Sequence, residues 1–109
     1  MISKKEEQIK KVLLHLAGEF LAREAGPQSL ITATRAEMSP DLKYISIFIS
    51  VFPESAEKAA LDFCKRERSA LREFVKEKSS LHFPPTIYFE LDIGEKNRQR
   101  IDELTRPSK

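Results

Sequence analysis

Apolar residues in the first quarter of the chain recur at the spacing of one helical face. Between residues 9 and 21 they fall mostly three or four positions apart, which is the i, i+3, i+4, i+7 pattern of an amphipathic helix. Gly26-Pro27 follows and is typical of a helix end. The pattern predicts a first helix from Lys4 to Glu24, with an apolar face formed by Ile9, Val12, Leu13, Leu16, Ala17, Phe20 and Leu21.

Two strands are predicted after this helix. Residues 30–38 form the first, and Ser39-Pro40-Asp41 is the turn that closes it. Residues 43–52 have the two-residue period of a strand with one buried face, and Pro53 ends that strand. The short connection favours an antiparallel hairpin. One face of the second strand carries Ile45, Ile47, Ile49 and Val51, and the other carries Tyr44, Ser46, Phe48, Ser50 and Phe52.

Residues 55–78 return to helical periodicity, with one irregularity. Glu67 falls in the middle of the apolar face, and a buried carboxylate is costly unless it is paired. Either Glu67 meets a cation, or the helix breaks near Glu67-Arg68-Ser69. We favour a break, which gives two shorter helices in slightly different registers. The apolar face itself consists of Ala60, Phe63, Cys64, Leu71, Phe74 and Val75.

A third strand is predicted at residues 86–91, after Pro84-Pro85. Residues 92–105 are expected to form a final short helix, and residues 106–109 to be frayed. The element order predicts a single α+β domain over residues 1–105. Its three-stranded sheet would be mixed, because a helical crossover joins the second and third strands. The helices would cover one sheet face and leave the other partly open.

Composition narrows the classes of function. The chain has 109 residues, of which 40% are apolar and 33% charged, as expected of one folded domain. No apolar run approaches the roughly 20 residues that span a bilayer, and the N-terminus lacks a signal or transit pattern. We therefore expect a cytoplasmic protein with no membrane partner.

Catalytic or metal-binding residues are not evident. The glycines, at positions 18, 26 and 94, are too scattered for a phosphate-cradling loop. His15 and His82 lie far apart, without metal-ligand spacing, and Cys64 on an apolar helix face is typical of a buried hydrophobe. We expect no enzyme, no cofactor and no metal, since no nucleophile, base and stabiliser can be assembled.

Positive charge is concentrated on the second helical region. The net charge of the chain is only +2, but residues 65–78 hold six Lys or Arg and three Glu. A basic stripe on a helix can contact phosphates. It can equally be a solvated face on which Glu73 and Glu77 supply i,i+4 partners. The candidate RNA-binding residues in this stripe and beside it are Lys65, Arg66, Arg68, Ser69, Arg72 and Lys76.

Aromatic residues on the open sheet face form a second candidate surface. Tyr44, Phe48 and Tyr88 are predicted to point away from the isoleucine-rich face. Aromatic rings on an open sheet can stack nucleobases. They can also pack against one another or under the terminal segment, which we consider the better interpretation.

The ordered motifs resemble the ribosome-binding factor A family over nearly the whole chain. The run TATRAEMSPDL at residues 32–42 resembles that family's first strand and turn, and residues 43–51 its next strand. Residues 69–72 resemble the helix leading to its last strand, and LHFPPTIYFELD at residues 81–92 its lead-in, third strand and closing aspartate. Gly26-Pro27 stands where the family usually has Asp-Pro.

The resemblance implies a type II KH-like fold and a cytoplasmic assembly factor without enzymatic activity. Members bind the immature small ribosomal subunit and help its rRNA mature near the 5′ end, with particular value at low temperature. The family's Ala-x-Gly kink between paired helices aligns with Glu67-Arg68-Ser69, where the helical periodicity also requires a break. Glu67 and Ser69 replace the small residues, and His82 stands where an Arg is common.

The function expected from the sequence is therefore binding of small-subunit rRNA during ribosome assembly. The expected partners are that rRNA and the free, immature small subunit, bound by a monomer. The alternative is a protein-interaction module that docks through its open sheet face or its first helix.

Overall fold

The helices and strands follow one another along the chain in the predicted order. The computed structural model describes residues 4–25 and 30–94. The elements are α1 (Lys4–Glu24), β1 (Leu30–Met38), β2 (Tyr44–Phe52), a 3₁₀ turn (Glu54–Ala56), α2 (Glu57–Arg66), α3 (Arg68–Lys78) and β3 (Thr86–Leu91).

The sheet has the order β1-β2-β3 and is mixed, as predicted. β1 pairs with β2 antiparallel, and β2 pairs with β3 parallel. The β1–β2 register slips between Ala33 and Arg35, which leaves Thr34 in a bulge. A bulge bends its strand and redirects the neighbouring side chains, and here it directs Arg35 toward Phe48 on the outer face of the sheet.

The hydrophobic core lies between the helices and one face of the sheet. Ile45, Ile47 and Ile49 are completely buried in β2, as their alternation predicts. Ile87 and Phe89 continue this face in β3. The helices contribute Leu13, Leu16, Ala17, Phe20 and Leu21 from α1, Ala60 and Cys64 from α2, and Leu71, Phe74 and Val75 from α3.

The helical region breaks at Glu67, which confirms the predicted interruption. Glu67 has φ −91° and ψ 7°, and separates the end of α2 from the start of α3. Its N–H donates to the Phe63 carbonyl at 3.0 Å, while its own carbonyl accepts from the Leu71 N–H at 2.9 Å. One residue thus ends one helix and begins the next, and its side chain is half-buried rather than pressed into the core.

Some predictions fall on parts of the chain outside the described residues. These are the helix-ending Gly26-Pro27, most of the short helix predicted at residues 92–105, and the frayed end at residues 106–109. The domain limits at residues 1–105 therefore stay a prediction. In the described part of the chain, no helix has both the length and the apolar character to cross a membrane.

Candidate nucleic-acid interface

A cationic groove lies between the start of α3 and the edge strand β3. It has a volume of about 300 Å³ and is lined by Arg68, Ser69, Arg72, Thr86 and Ile87. Arg68 and Ser69 open α3 immediately after the break, and Arg72 lies one turn further on. Thr86 and Ile87 are the first residues of β3. The helix break therefore sets two guanidinium groups and a hydroxyl beside an edge of the sheet.

The six candidate residues divide into two groups. Arg68, Ser69 and Arg72 line the cationic groove. Lys65 and Arg66 lie in the last turn of α2, and Lys76 in the last turn of α3, and these three do not line it. All except Arg68 are exposed, and Arg68 is half-buried. The structure brings half of the predicted stripe into one depression and leaves the other half on the flanking helix surface.

The electrostatics around the groove favour an anion. The N-terminal end of a helix carries partial positive charge, and the groove lies against this end of α3. Lys76 pairs with Glu73 at 3.7 Å, so this end of the stripe is partly neutralised, as the solvated-face interpretation requires. Among the ion pairs of the described residues, none involves Lys65, Arg66, Arg68 or Arg72. Of the candidate cations, these four and not Lys76 therefore keep a positive charge without an ion pair to another described residue.

Arg68 connects the groove to the outer face of the sheet. Its guanidinium carbon lies 5.3 Å from the centroid of the Tyr88 ring, within the range of a cation–π contact. Tyr88 belongs to β3 and alternates with the core residues Ile87 and Phe89. Because β3 is an edge strand, the Arg68 side chain passes around it from the helix side to the opposite face.

Tyr44 and Tyr88 stand together on this outer face. Their ring centroids are 6.0 Å apart at an interplanar angle of 34°, a common geometry for aromatic pairs. Tyr44 is 46% exposed and Tyr88 is 42% exposed. The two rings therefore pack against each other, as one form of the packing interpretation predicts, yet each keeps much of its surface open, as base stacking requires.

Phe48 differs from the two tyrosines, because the structure excludes it from stacking a base. It is only 9% exposed, and the Arg35 guanidinium lies 3.7 Å from its ring centroid. Phe48 is therefore packed, but against Arg35 rather than, as the packing interpretation had it, against another aromatic ring. Arg35 covers the Phe48 ring because of the bulge in β1, and no sequence pattern predicts that bulge.

Sequence reasoning missed Phe83, which is 91% exposed. Phe83, Lys43, Tyr44 and Thr86 line a second depression of about 360 Å³. The following Pro84 and Pro85 are buried, and the Thr86 N–H donates to the Lys43 carbonyl at 2.8 Å. A lone aromatic before two prolines gave no periodic signal, since it precedes the strand.

A third depression lies between the start of α1 and the segment after α3. It has a volume of about 460 Å³ and a mainly apolar lining. Ile9 and Val12 line it from α1 and Leu81 from the segment after α3, with Lys5 and Lys11 also in the lining. This depression is the surface that the protein-interaction alternative would use for docking through the first helix.

The described residues offer no arrangement typical of catalysis. Cys64 is completely buried, and this burial raises the pKa of its thiol to about 12. His15 is exposed and lies 3.7 Å from Glu19 on the outer surface of α1. No group of three or more His, Cys, Asp or Glu side chains in the described residues is placed to hold a metal ion.

The family model and several relatives that match this chain carry the same description. The family model described as ribosome-binding factor A matches residues 2–105. The ribosome-binding factor A of Methylobacterium sp. (strain 4-46) is 29% identical over 112 residues, covering 98% of this chain and 81% of that relative.

Solved structures share the fold at lower identity. The crystal structure of ribosome-binding factor A from Thermus thermophilus aligns with a TM-score of 0.68 and 20% identity, over 78% of this chain and 93% of that one. A homology model of the Thermus thermophilus factor, fitted into a cryo-EM map of a 30S complex of that protein, aligns with a TM-score of 0.65 and 22% identity, over 83% of this chain and 93% of that one. The α+β fold and the resemblance noted in the sequence are both confirmed.

Proposed function

The chain belongs to the ribosome-binding factor A family, and from that membership we propose that it binds the small ribosomal subunit by contacting its rRNA. The observation that carries the proposal is the cationic groove at the helix break. A Thermus thermophilus relative has been fitted into a map of its complex with the 30S subunit. The same fold, with guanidinium groups at an open helix end, supports an equivalent role for this chain.

The groove would bind the sugar–phosphate backbone. Arg68 and Arg72 offer planar, permanently charged donors that match phosphate oxygens. The break at Glu67 exposes the N-terminal end of α3, which also attracts phosphate. Lys65, Arg66 and Lys76 would add long-range attraction from the flanking surface, and Ser69 a hydroxyl donor. Phosphate contacts position a protein without reading sequence, so selectivity would come from rRNA shape.

Glu67 limits how close the backbone can approach. Glu67 is half-buried at the break and stands in sequence between the last turn of α2, which holds Lys65 and Arg66, and the first turn of α3. A carboxylate there opposes phosphate binding, in contrast to the small residues usual in the family. We expect the main contacts on the Arg68–Arg72 side, away from that acid.

The finer role follows from the family and stays a proposal. The chain would act in the cytoplasm as a monomer on the immature small subunit. It would assist maturation of the rRNA near its 5′ end, with greatest value at low temperature. It would do so by binding alone, without a cofactor or a chemical step of its own.

Co-sedimentation with purified small and large subunits across a salt series tests the proposal. We expect selective pelleting with the small subunit that weakens steeply with salt, because phosphate binding releases counterions. The double variant Arg68→Glu/Arg72→Glu should lose roughly tenfold or more in affinity. Lys4→Glu/Lys11→Glu on α1 changes the net charge equally and should bind like the wild type.

The same experiment distinguishes rRNA binding from the protein-interaction alternative. Binding that is insensitive to salt and to the Arg68 and Arg72 reversals would favour docking on a ribosomal protein. The mainly apolar depression beside Ile9, Val12 and Leu81 would then be the surface to examine. Failure of the folded wild type to pellet with small subunits at low salt would contradict the proposed function.

A further inference from the structure

Exposed aromatic rings lie directly beside the cationic groove. We define the aromatic face as Tyr44, Tyr88 and Phe83, with exposures of 46%, 42% and 91%. We infer that this face stacks unpaired bases of single-stranded RNA whose backbone passes through the cationic groove. The inference rests on the proposed function and names the form of RNA that the chain would take.

The cationic groove and the aromatic face are continuous. Thr86 lines both the depression that holds Arg68 and Arg72 and the one that holds Tyr44 and Phe83. The Arg68 guanidinium extends from the groove to the Tyr88 ring. A strand held by its phosphates in the groove therefore needs no long span to bring its bases over the rings.

The two tyrosine rings are held in place before any ligand binds. Tyr88 contacts Arg68 on one side and Tyr44 on another, at 5.3 Å and 6.0 Å. Because these two rings are already fixed, they lose little conformational freedom on binding. The backbone of Phe83 is restricted by the two buried prolines that follow it. The three rings are nevertheless open, in contrast to Phe48, which Arg35 covers on the same sheet face.

The chemistry of the surface favours a base over an apolar peptide. Base–aromatic stacking tolerates any sequence, and a guanidinium plane stacks on bases as well. Lys43 lies beside Phe83 and supplies a second cation for the backbone. A fully paired helix hides the faces of its bases, so this surface distinguishes single-stranded RNA from a duplex.

The negative charges near the aromatic face mark its limits. Glu90 lies opposite Phe48 on the covered part of the sheet. Asp41, in the turn before Tyr44, accepts a hydrogen bond from the Ser39 hydroxyl at 2.6 Å and one from the Lys43 N–H at 3.1 Å. Glu37 lies opposite Ser46 on the same face, and it is paired with Arg35. The RNA path therefore runs from Arg72 past Thr86 to the tyrosines, with Asp41 on one side and Glu37 and Glu90 on the other.

The test uses the full chain and two fluorescein-labelled probes in anisotropy titrations. One is a mixed-sequence single-stranded RNA heptamer, and the other is a fully paired RNA hairpin with as many phosphates. Tyr44→Leu/Tyr88→Leu removes both rings but keeps apolar bulk, whereas Tyr44→Phe/Tyr88→Phe keeps the rings. Phe52→Leu is the matched control, because Phe52 is 74% exposed at the far end of the same face. Circular dichroism verifies that each variant is folded.

We expect the wild type to prefer the heptamer over the hairpin. The double leucine variant should bind the heptamer about tenfold or more weakly, with an unchanged dependence on salt, because no phosphate contact is lost. The phenylalanine variant and Phe52→Leu should bind like the wild type. The protein has two Tyr and no Trp, so the ring resonances of both tyrosines are easily followed by NMR and should shift when the heptamer binds.

Three outcomes would overturn the inference. The first is an affinity of the double leucine variant for the heptamer within about twofold of that of the wild type. The second is a preference of the wild type for the hairpin. The third is a double leucine variant that no longer pellets with the small subunit but still binds the heptamer, which would assign the face to a protein partner. In each case, intact wild-type pelleting would leave the proposed function standing. A folded wild type that binds neither RNA nor the small subunit would overturn both.

Discussion

The Thr34 hydroxyl donates a hydrogen bond to the Asp92 carboxylate, although the two residues lie 58 positions apart. Thr34 occupies the bulge in β1, and Asp92 follows the end of β3, so their contact passes over the central strand β2. Asp92 is only 4% exposed, and its oxygen also lies 3.6 Å from Nε of Arg35. Both edge strands are therefore tied together across the outer face.

This contact should contribute measurably to stability. Asp92→Ala removes a buried, charged acceptor from the Thr34 hydroxyl and the Arg35 guanidinium, which keep the Phe48 carbonyl and Glu37 as partners. We expect the free energy of unfolding to fall by about 1–3 kcal/mol. Thr34→Val keeps the side-chain shape and should cost about 1 kcal/mol. Urea denaturation, followed by circular dichroism, measures both.

A double-mutant cycle isolates the pair. If Thr34 and Asp92 interact, the fall in the free energy of unfolding of the double variant should be smaller than the sum of the two single falls. The difference should be about 0.5 kcal/mol or more. Additive losses would show that the contact contributes little. Ser50→Ala, on the same face of β2, is a control for removing a hydroxyl from this sheet.

Gly18 in α1 is a site where a substitution should stabilise the protein. A Cβ built there would lie 4.0 Å from Cβ of Ala33, an ordinary van der Waals contact. A glycine in a helix interior costs roughly 0.5–1 kcal/mol relative to alanine. Gly18→Ala should therefore raise the free energy of unfolding by about that amount in thermal or urea denaturation.

The larger substitution Gly18→Leu provides the contrast. We expect it to press against β1, because a Cβ at residue 18 already lies in contact with Cβ of Ala33, and overpacking a close interface is destabilising. Lower stability of Gly18→Ala itself would mean that α1 and β1 approach more closely than the structure shows.

Glu67 should weaken RNA binding in the wild type. Glu67 stands at the break, adjacent in sequence to Arg66 and Arg68, so we expect its negative charge to oppose incoming phosphates. Glu67→Gln removes the charge and keeps the shape, so we expect affinity for the small subunit to rise by a few-fold at low salt. The gain should fade in high salt, as measured by co-sedimentation. Glu77→Gln, at the other end of α3, makes the same charge change and should have little effect.

The sequence predicted the fold because the core depends on repeating patterns. The period of α1 and the alternation of Ile45, Ile47 and Ile49 are local signals, and each specifies which face is buried. Even the helix break was predictable, since a continuous helix would have placed Glu67 in the core. Nothing comparable marks the bulge at Thr34, which depends on the pairing of β1 with β2.

The candidate site was predictable only in part. Arg68 and Arg72 follow from helical spacing, but their neighbours Thr86 and Ile87 belong to a strand more than ten residues away. The contact of Arg68 with Tyr88 depends on how α3 packs beside β3. Such relationships arise from tertiary packing, so no local pattern contains them.

Burial of Cys64 should make stability depend on alkaline pH. Cys64 in α2 is completely buried, and desolvation raises the pKa of its thiol from 9.0 to about 12 in the folded protein. The folded state thus favours the protonated thiol, while the unfolded state loses that proton at its ordinary pKa. The resulting stabilisation is fully present below pH 9 and is lost as the pH rises from there toward 12.

Comparison of the wild type with Cys64→Ala isolates this dependence, because lysines and tyrosines titrate equally in both. Above pH 9, the free energy of unfolding of the wild type should fall faster than that of the variant, by about 1.4 kcal/mol per pH unit. Urea denaturation between pH 8 and roughly pH 11 measures the two slopes. The native thiol should also react with a thiol reagent only as fast as the chain opens, since the thiolate is the reactive form. Parallel pH slopes, or fast labelling at low urea, would contradict the burial of Cys64.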